Sequence, residues 1–163
     1  NSRIAKSLSS RYSVVYGYMN HVNVDRRHKL VRRYKVTDAA VHDGWVVEDI
    51  LDPNNTASDV WADSAYRSAG IETMLKKKAL TSRIHYKGHR NKPLTKRQEQ
   101  GNKTRSKIRV RVEHIFGAQS NDMGGTLVRS IGIVRAKTRI GLKNLAYNMR
   151  RLVQLERMAT APP

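Results

Sequence analysis

The chain contains no cysteine, so disulfide bridges and thiolate metal sites are excluded. It has no run near the roughly 18 consecutive apolar residues that a membrane span requires, and its first residues lack the apolar stretch of a secretory signal. These absences predict a cytoplasmic protein without a membrane partner. The 163 residues are 39% apolar, which is enough for a single domain with one modest core.

Acidic residues are also scarce. The sequence has 13 Asp and Glu against 32 Lys and Arg, a formal net charge of +19. Such a surface attracts polyanions, because each phosphate neutralised by Lys or Arg releases counterions, so nucleic acid is the predicted partner. Between residues 83 and 111 there are 11 Lys and Arg against one acid, Glu99. A basic surface that serves only solubility is the alternative.

Apolar periodicity predicts a mixed α/β fold in one domain. Strands are predicted where β-branched and aromatic residues cluster or alternate, over 12–25, 30–40, 59–65 and 81–86. Helices are predicted after an Asp43 N-cap, over 67–80, from 104 or 106 to the Gly124-Gly125 pair, and from about 136. The polar stretch 87–103 is predicted to be a loop, and residues 1–12 and 158–163 are predicted to be flexible.

The predicted core includes both tryptophans and the phenylalanine, which are Trp45, Trp61 and Phe116. The last helix is predicted to turn an apolar face inward, formed by Ile140, Leu142, Leu145, Met149, Leu152 and Val153. Its basic residues would then face outward.

Two acids could carry chemistry. Asp63 ends a predicted apolar strand, where open α/β sheets place their ligands, although it could instead cap the helix that begins near Arg67. Glu113 borders a helical apolar stripe, and it could simply pair with Arg109 one turn earlier. Phosphoryl transfer needs hard oxygen ligands for Mg²⁺, and carboxylates from a strand end and a helix could supply them.

Six motifs occur in order along the chain: YGYMNHVNVD, VTDAAVHD, WADSAYRS, RIHYKGHR, RVRVEHIFG and GLKNLAYNMRRLVQLER. Together they resemble the catalytic region of bacterial insertion-sequence DDE transposases of the IS-five type, over residues 16–157. The resemblance implies an RNase H-like mixed sheet flanked by helices, and DNA strand cleavage and strand transfer that depend on Mg²⁺ or Mn²⁺. It also implies a nucleoid-associated homo-oligomer that binds terminal inverted repeats and target DNA.

The resemblance assigns roles to individual residues. The acid of the family's D-x-x-Y motif falls on Asp63, with Tyr66 as its tyrosine, and the acid of the R-x-x-x-E helix falls on Glu113, with Arg109 as its arginine. His21 lies in the hairpin motif. The remaining predicted DNA contacts are the basic residues Lys87, Arg90, Lys92, Lys103, Arg105, Lys107 and Arg111.

The sequence departs from the family pattern at three positions: Met19 replaces a frequent Lys, Ser106 a frequent Tyr, and Ser120 a frequent Lys. The last two changes put in doubt how the helix grips a DNA end. The family's first catalytic acid normally lies on the first strand, ahead of the hairpin. We expect that strand and its acid to lie upstream of residue 1, so that the sheet lacks its first strand.

Other residues are weaker candidates for the missing ligand. Asp25, Asp38 and Asp43 have predicted structural roles in a hairpin turn, at a strand end and as a helix N-cap. No pair among His21, His42 and His114 has the i, i+4 spacing of a helical zinc site. Two alternative functions stay open: a DNA-binding remnant without catalysis, and a nuclease that hydrolyses DNA without joining ends.

Overall fold

The structure is a computed structural model that describes residues 3–6, 17–54, 57–125 and 131–160, the first range by its backbone only. Its strands are β1 (Arg3–Lys6), β2 (Tyr18–Asp25), β3 (Val31–Asp38), β4 (Asp59–Ala62) and β5 (Thr81–Ser82). Its helices are α1 (Val47–Ile50), α2 (Ala69–Lys77), α3 (Lys96–Asn121) and α4 (Ile133–Thr160). Short 3₁₀ turns span Asp43–Trp45 and Ser64–Tyr66.

The five strands form one mixed sheet in the order β3-β2-β1-β4-β5. β2 and β3 form an antiparallel hairpin, β1 runs antiparallel to β2, and β4 runs parallel to both β1 and β5. Because β1 and β4 are parallel neighbours, their carboxyl ends lie at the same edge of the sheet. That edge is where β4 leads into Asp63.

Helices cover both faces of the sheet, as the alternation of side chains along β4 shows. Val60 and Ala62 are buried with the apolar residues of α1 and α2, whereas Trp61 is buried with Val112 and Phe116 of α3. Successive side chains of a strand point to opposite faces, so Asp63 is expected on the α3 side with Trp61. The predicted mixed α/β architecture is therefore confirmed.

Asparagine side chains attach α4 to the β2–β3 hairpin. Asn148 donates to the carbonyl of Val31 and accepts from its N–H, both at 2.9 Å. Asn144 is buried and exchanges hydrogen bonds with Asn20 at 2.9 and 3.2 Å, while its Oδ1 also accepts from Gln119 of α3 at 3.0 Å. Buried polar groups satisfied in this way fix the position of a helix as well as apolar contacts do.

This docking corrects the predicted inward face of α4. Its buried residues are Ala136, Ile140, Asn144 and Tyr147. Five residues predicted to face inward are exposed instead, by 46–61%: Leu142, Leu145, Met149, Leu152 and Val153. The prediction was wrong because the core side of α4 is partly polar, so the most apolar stripe of the sequence is not the buried one.

The strand predictions were correct in kind but too long. β4 ends at Ala62 rather than residue 65, and β5 spans only two of the six predicted residues, although backbone pairing with β4 continues through His85 N–H to the Ala62 carbonyl. Residues 12–16 of the predicted first strand lie outside the described residues. β1 was not predicted; it precedes the hairpin in sequence and lies between β2 and β4 in the sheet.

Three helix predictions need correction. The predicted loop 87–103 is wrong from residue 96 onward, since α3 begins there with a capping box: Thr95 Oγ1 accepts from the Gln98 N–H and Gln98 Oε1 from the Thr95 N–H. His42, not Asp43, caps the first 3₁₀ turn, with Nδ1 accepting from the Gly44 N–H at 3.0 Å. Ser68 caps α2 through the Ile71 N–H.

Two of the three aromatic residues predicted to lie in the core are buried. Trp61 and Phe116 are buried as predicted, but Trp45 is 80% exposed and is not a core residue. Residues 3–6 and 158–160, predicted to be flexible, lie in β1 and α4. Among the described residues, no helix is long and apolar enough to cross a membrane.

Candidate active site

Asp63 follows directly after β4, and the two oxygens of its carboxylate have different partners. Oδ1 accepts a hydrogen bond from the Ser64 N–H at 2.6 Å and so caps the 3₁₀ turn Ser64–Tyr66. The predicted capping role is therefore real, although it serves this turn and not the later helix. Oδ2 is left to face α3.

Arg109 of α3 brings the two predicted acids together. Its Nη1 lies 2.7 Å from Asp63 Oδ2, and its Nη2 lies 3.7 Å from Glu113 Oε1. The side chains of Asp63 and Glu113 are 37% and 44% exposed, so both acids can be reached from solvent. A strand end and a helix 50 residues apart in sequence thus converge on one guanidinium group. The assignment of Asp63 and Glu113 as metal ligands stays a prediction.

Carboxylate oxygens are the donors that a hard divalent cation prefers, and in this structure a guanidinium group lies between the two acids. However, the pair is not a complete metal site. Within the described ranges, no three His, Asp or Glu side chains come together as a possible metal-binding group. The acids considered as substitutes have other roles: Asp25, for example, accepts from the N–H groups of Arg27 and His28 in the hairpin turn.

His85 holds the two parts of the site together, and sequence analysis missed it. The buried ring accepts or donates at both nitrogens: Nδ1 lies 3.1 Å from the Ala62 carbonyl, and Nε2 lies 3.0 Å from Ser106 Oγ. A carbonyl can only accept, so Nδ1 carries a proton, and in a neutral ring Nε2 then accepts from the serine hydroxyl. Ala62 precedes Asp63, and Ser106 lies one turn before Arg109, so this ring links the strand end to the helix.

The predicted DNA-contacting residues form two groups in the structure. Lys87, Arg90, Lys92, Lys103, Lys107 and Arg111 are exposed. Arg105 and Arg109 are only partly exposed, because each lies against other groups of the site. Whether they contact DNA stays a prediction.

The two motif-associated residues, His21 and Tyr66, are fully buried. His21 Nε2 lies 2.8 Å from Thr37 Oγ1, and its Nδ1 lies 3.7 Å from Asp43. Burial lowers the pKa of His21, an effect that Asp43 opposes and Lys35 assists. His21 therefore belongs to the interior beneath the β2–β3 hairpin.

Comparison with known proteins shows that the chain is similar to transposases. The model of the family described as "Transposase DDE domain" matches residues 7–149. The transposase for insertion sequence element IS1106 from Neisseria meningitidis serogroup B is 28% identical over 133 residues, which cover 82% of this chain and 46% of that protein. The chain thus spans about half the length of this curated relative. No solved structure gives a significant match.

The family match covers most of the chain, and the relative is a transposase of an insertion sequence element. The predicted relationship to bacterial insertion-sequence DDE transposases is confirmed, while the IS-five subtype stays a prediction. This chain is a member of the transposase DDE domain family.

Proposed function

We propose that this chain carries part of the active site of a DNA transposase, which cleaves DNA strands at insertion-sequence ends and transfers them to target DNA as a homo-oligomer. The convergence of Asp63 and Glu113 on Arg109 is the observation that supports this function. The strand order β3-β2-β1-β4-β5, with β1 central and parallel to β4, is compatible with an RNase H-like fold.

Asp63 Oδ2 and the Glu113 carboxylate would hold Mg²⁺ or Mn²⁺ in this proposal. The metal would activate the attacking oxygen and stabilise the leaving oxygen of the phosphodiester. Because the Ser64 N–H binds Oδ1, the Asp63 carboxylate is already oriented with Oδ2 toward α3. Arg109 would leave the acids when the cation binds and then contact a phosphate of the DNA, a group that a guanidinium recognises well.

Two carboxylates leave the ligand set incomplete. None of the four residues of β1 (Arg3, Ile4, Ala5 and Lys6) is acidic. We therefore propose that a third acid comes from a part of the protein beyond the site described here. By ligand count, this chain alone should bind DNA well but bind metal weakly and cleave poorly.

Nicking of supercoiled DNA in Mn²⁺ or Mg²⁺ tests the proposal, using this chain and a longer protein that includes upstream sequence. Asp63→Asn and Glu113→Gln should each abolish nicking by the longer protein while DNA affinity in EDTA is unchanged. Glu99→Gln is the matched control, since Glu99 is an exposed acid in the first turn of the same helix. Full nicking activity in both acid variants would disprove the assigned roles.

A DNA-binding remnant without catalysis is the second candidate, and one observation favours it. Arg109 already neutralises part of the charge of both acids, an arrangement that is stable without a metal. If no version of the protein nicks or joins DNA while affinity is retained, this second function is correct. A product that is cut but never joined to target DNA would instead indicate a nuclease.

A further inference from the structure

Two arginine side chains contact the ring of Tyr86. The guanidinium carbon of Arg67 is 4.3 Å from the centroid of the Tyr86 ring, and that of Arg105 is 4.5 Å from the same centroid. Both guanidinium groups therefore lie within cation–π distance of the same ring. We call Arg67, Tyr86 and Arg105 the stacked cluster.

The stacked cluster carries excess positive charge. Glu72 is 3.5 Å from Arg67 Nη2, and Arg67 Nη1 donates to the Ile84 carbonyl at 2.9 Å. For Arg105, by contrast, no carboxylate partner is found among the described residues, and its Nε and Nη1 are buried there without a hydrogen-bond partner. No carboxylate of the described residues therefore balances the charge of Arg105, so an anion that reaches the exposed part of its side chain would be stabilised.

The surrounding chain holds the cluster in place. Asn102 accepts from the Tyr86 N–H at 2.9 Å and donates to its carbonyl at 3.1 Å, which fixes the ring against α3. Gly101 gives Arg105 the room to fold onto the ring, since a Cβ at residue 101 would lie 2.7 Å from Arg105 Nη1. Cation–π stacking fixes the guanidinium planes, and such preorganised arginines suit phosphate oxygens.

The position of the cluster relates it to the acids. Tyr86 follows His85, whose ring contacts the residue before Asp63, and Arg105 lies one helical turn before Arg109. That turn is a step of about 6 Å along the helix, which corresponds to roughly two nucleotides of axial rise at 3.4 Å each. The stacked cluster therefore lies one turn along α3 from the arginine that contacts both acids.

We propose that Arg67, Tyr86 and Arg105 form a subsite for a DNA backbone phosphate one to two nucleotides from the phosphodiester that reacts at Asp63 and Glu113. The location relative to the reacting bond rests on the proposed function. Phosphate binding itself does not, because it requires neither acid nor metal.

Affinity for a fluorescent duplex of arbitrary sequence, measured by anisotropy in EDTA across a salt series, tests the subsite. Arg105→Gln should weaken binding about tenfold and reduce the slope of log affinity against log salt by about 0.9, the value for one phosphate contact in B-DNA. Arg97→Gln is the matched control, since Arg97 is an exposed arginine of the same helix, and it should lose no more than about twofold. Equal losses in both variants would overturn the proposal.

Two further variants separate geometry from charge. Gly101→Ala keeps the net charge and should raise helix propensity, but its Cβ forces the tip of the Arg105 side chain to shift, so it should weaken binding by about threefold, less than Arg105→Gln. The double variant should then be no weaker than Arg105→Gln alone. Tyr86→Leu should weaken binding about threefold without a change in charge. Unaltered affinity in a folded Gly101→Ala protein, checked by circular dichroism, would contradict the proposal.

The outcomes also separate this subsite from the catalytic proposal. If Arg105→Gln weakens binding in EDTA while Asp63→Asn leaves nicking intact, the subsite stands and the assigned catalytic role fails. If Asp63→Asn abolishes nicking while Arg105→Gln behaves like Arg97→Gln, the reverse holds.

Discussion

Arg109 Nη1 lies 2.7 Å from Asp63 Oδ2, so the candidate metal ligand is paired with a cation of the protein itself. A metal ion that binds Asp63 has to displace this guanidinium. The ion pair between Arg109 and Asp63 therefore competes with metal binding, and removal of the guanidinium should raise the affinity for the metal.

Arg109→Gln should increase Mn²⁺ affinity. The ion pair is partly exposed, and such pairs contribute about 0.2–1 kcal/mol, which converts to an increase of up to about fivefold. The free Mn²⁺ signal in electron paramagnetic resonance titrations measures the effect. Arg111→Gln serves as control, since Arg111 contacts the Arg26 carbonyl at 3.4 Å and neither acid. An unchanged or lower affinity in Arg109→Gln would show that the guanidinium does not compete.

Ser106→Ala should destabilise the fold by about 1–3 kcal/mol, because it leaves Nε2 of the buried His85 without its donor. Ser120→Ala, an exposed serine of the same helix, should change the free energy of unfolding by less than about 0.5 kcal/mol. Urea denaturation followed by circular dichroism measures both. Equal effects would mean that the histidine finds another partner or that the contact contributes little.

The lowered pKa of His21 predicts a pH-dependent stability. The unfolded chain binds a proton near pH 6.5 while the folded chain resists it, so stability from this group is full above pH 6.5 and is lost as pH falls below it. The free energy of unfolding should therefore drop between pH 7.5 and 5, at no more than about 1.4 kcal/mol per pH unit from this group. Lys35 assists the shift and Asp43 opposes it.

His21→Gln should flatten this dependence, whereas His114→Gln should preserve it, since His114 is exposed. Guanidinium denaturation of the three proteins at four pH values provides the comparison. Parallel curves for wild type and His21→Gln would rule out His21 as the source.

The exposed apolar residues of α4 should tolerate substitution by polar residues without a large loss of stability. Leu145→Gln should change the free energy of unfolding by less than about 0.5 kcal/mol, because this side chain is 55% exposed. Ile140→Ala, one turn earlier on the buried face, should cost about 2–5 kcal/mol. Thermal and urea unfolding of both variants test this. A large loss in Leu145→Gln would instead support the inward orientation predicted from sequence.

The sequence predicted where helices and strands occur better than it predicted which side chains contact each other in the fold. The capping box at Thr95 and Gln98 was readable as T-x-x-Q, but the basic composition around it favoured a loop. The orientation of α4 could not be read in the same way, because Asn144 is buried through bonds to Asn20 and Gln119, residues distant in sequence. Apolar periodicity identifies a possible buried face, but it does not identify polar residues that become buried because distant side chains satisfy their hydrogen bonds.

The same distinction applies to the candidate site. Asp63 and Glu113 were selected from motifs, and a pair between Glu113 and Arg109 was considered from their i, i+4 spacing, but the contact of Arg109 with Asp63 was not predicted. The stacking of Arg67 and Arg105 on Tyr86 was not predicted, since the three residues belong to separate segments that meet only in the folded chain. The link through His85 was missed for the same reason.

The edges of the sheet have a consequence for assembly. β3 forms one edge and presents Arg32, Arg33 and Lys35 on its exposed stretch, and β5 at the other edge is two residues long. Charged and very short edge strands resist pairing with a further strand. Fibril-like growth through the described edges of the sheet is therefore disfavoured.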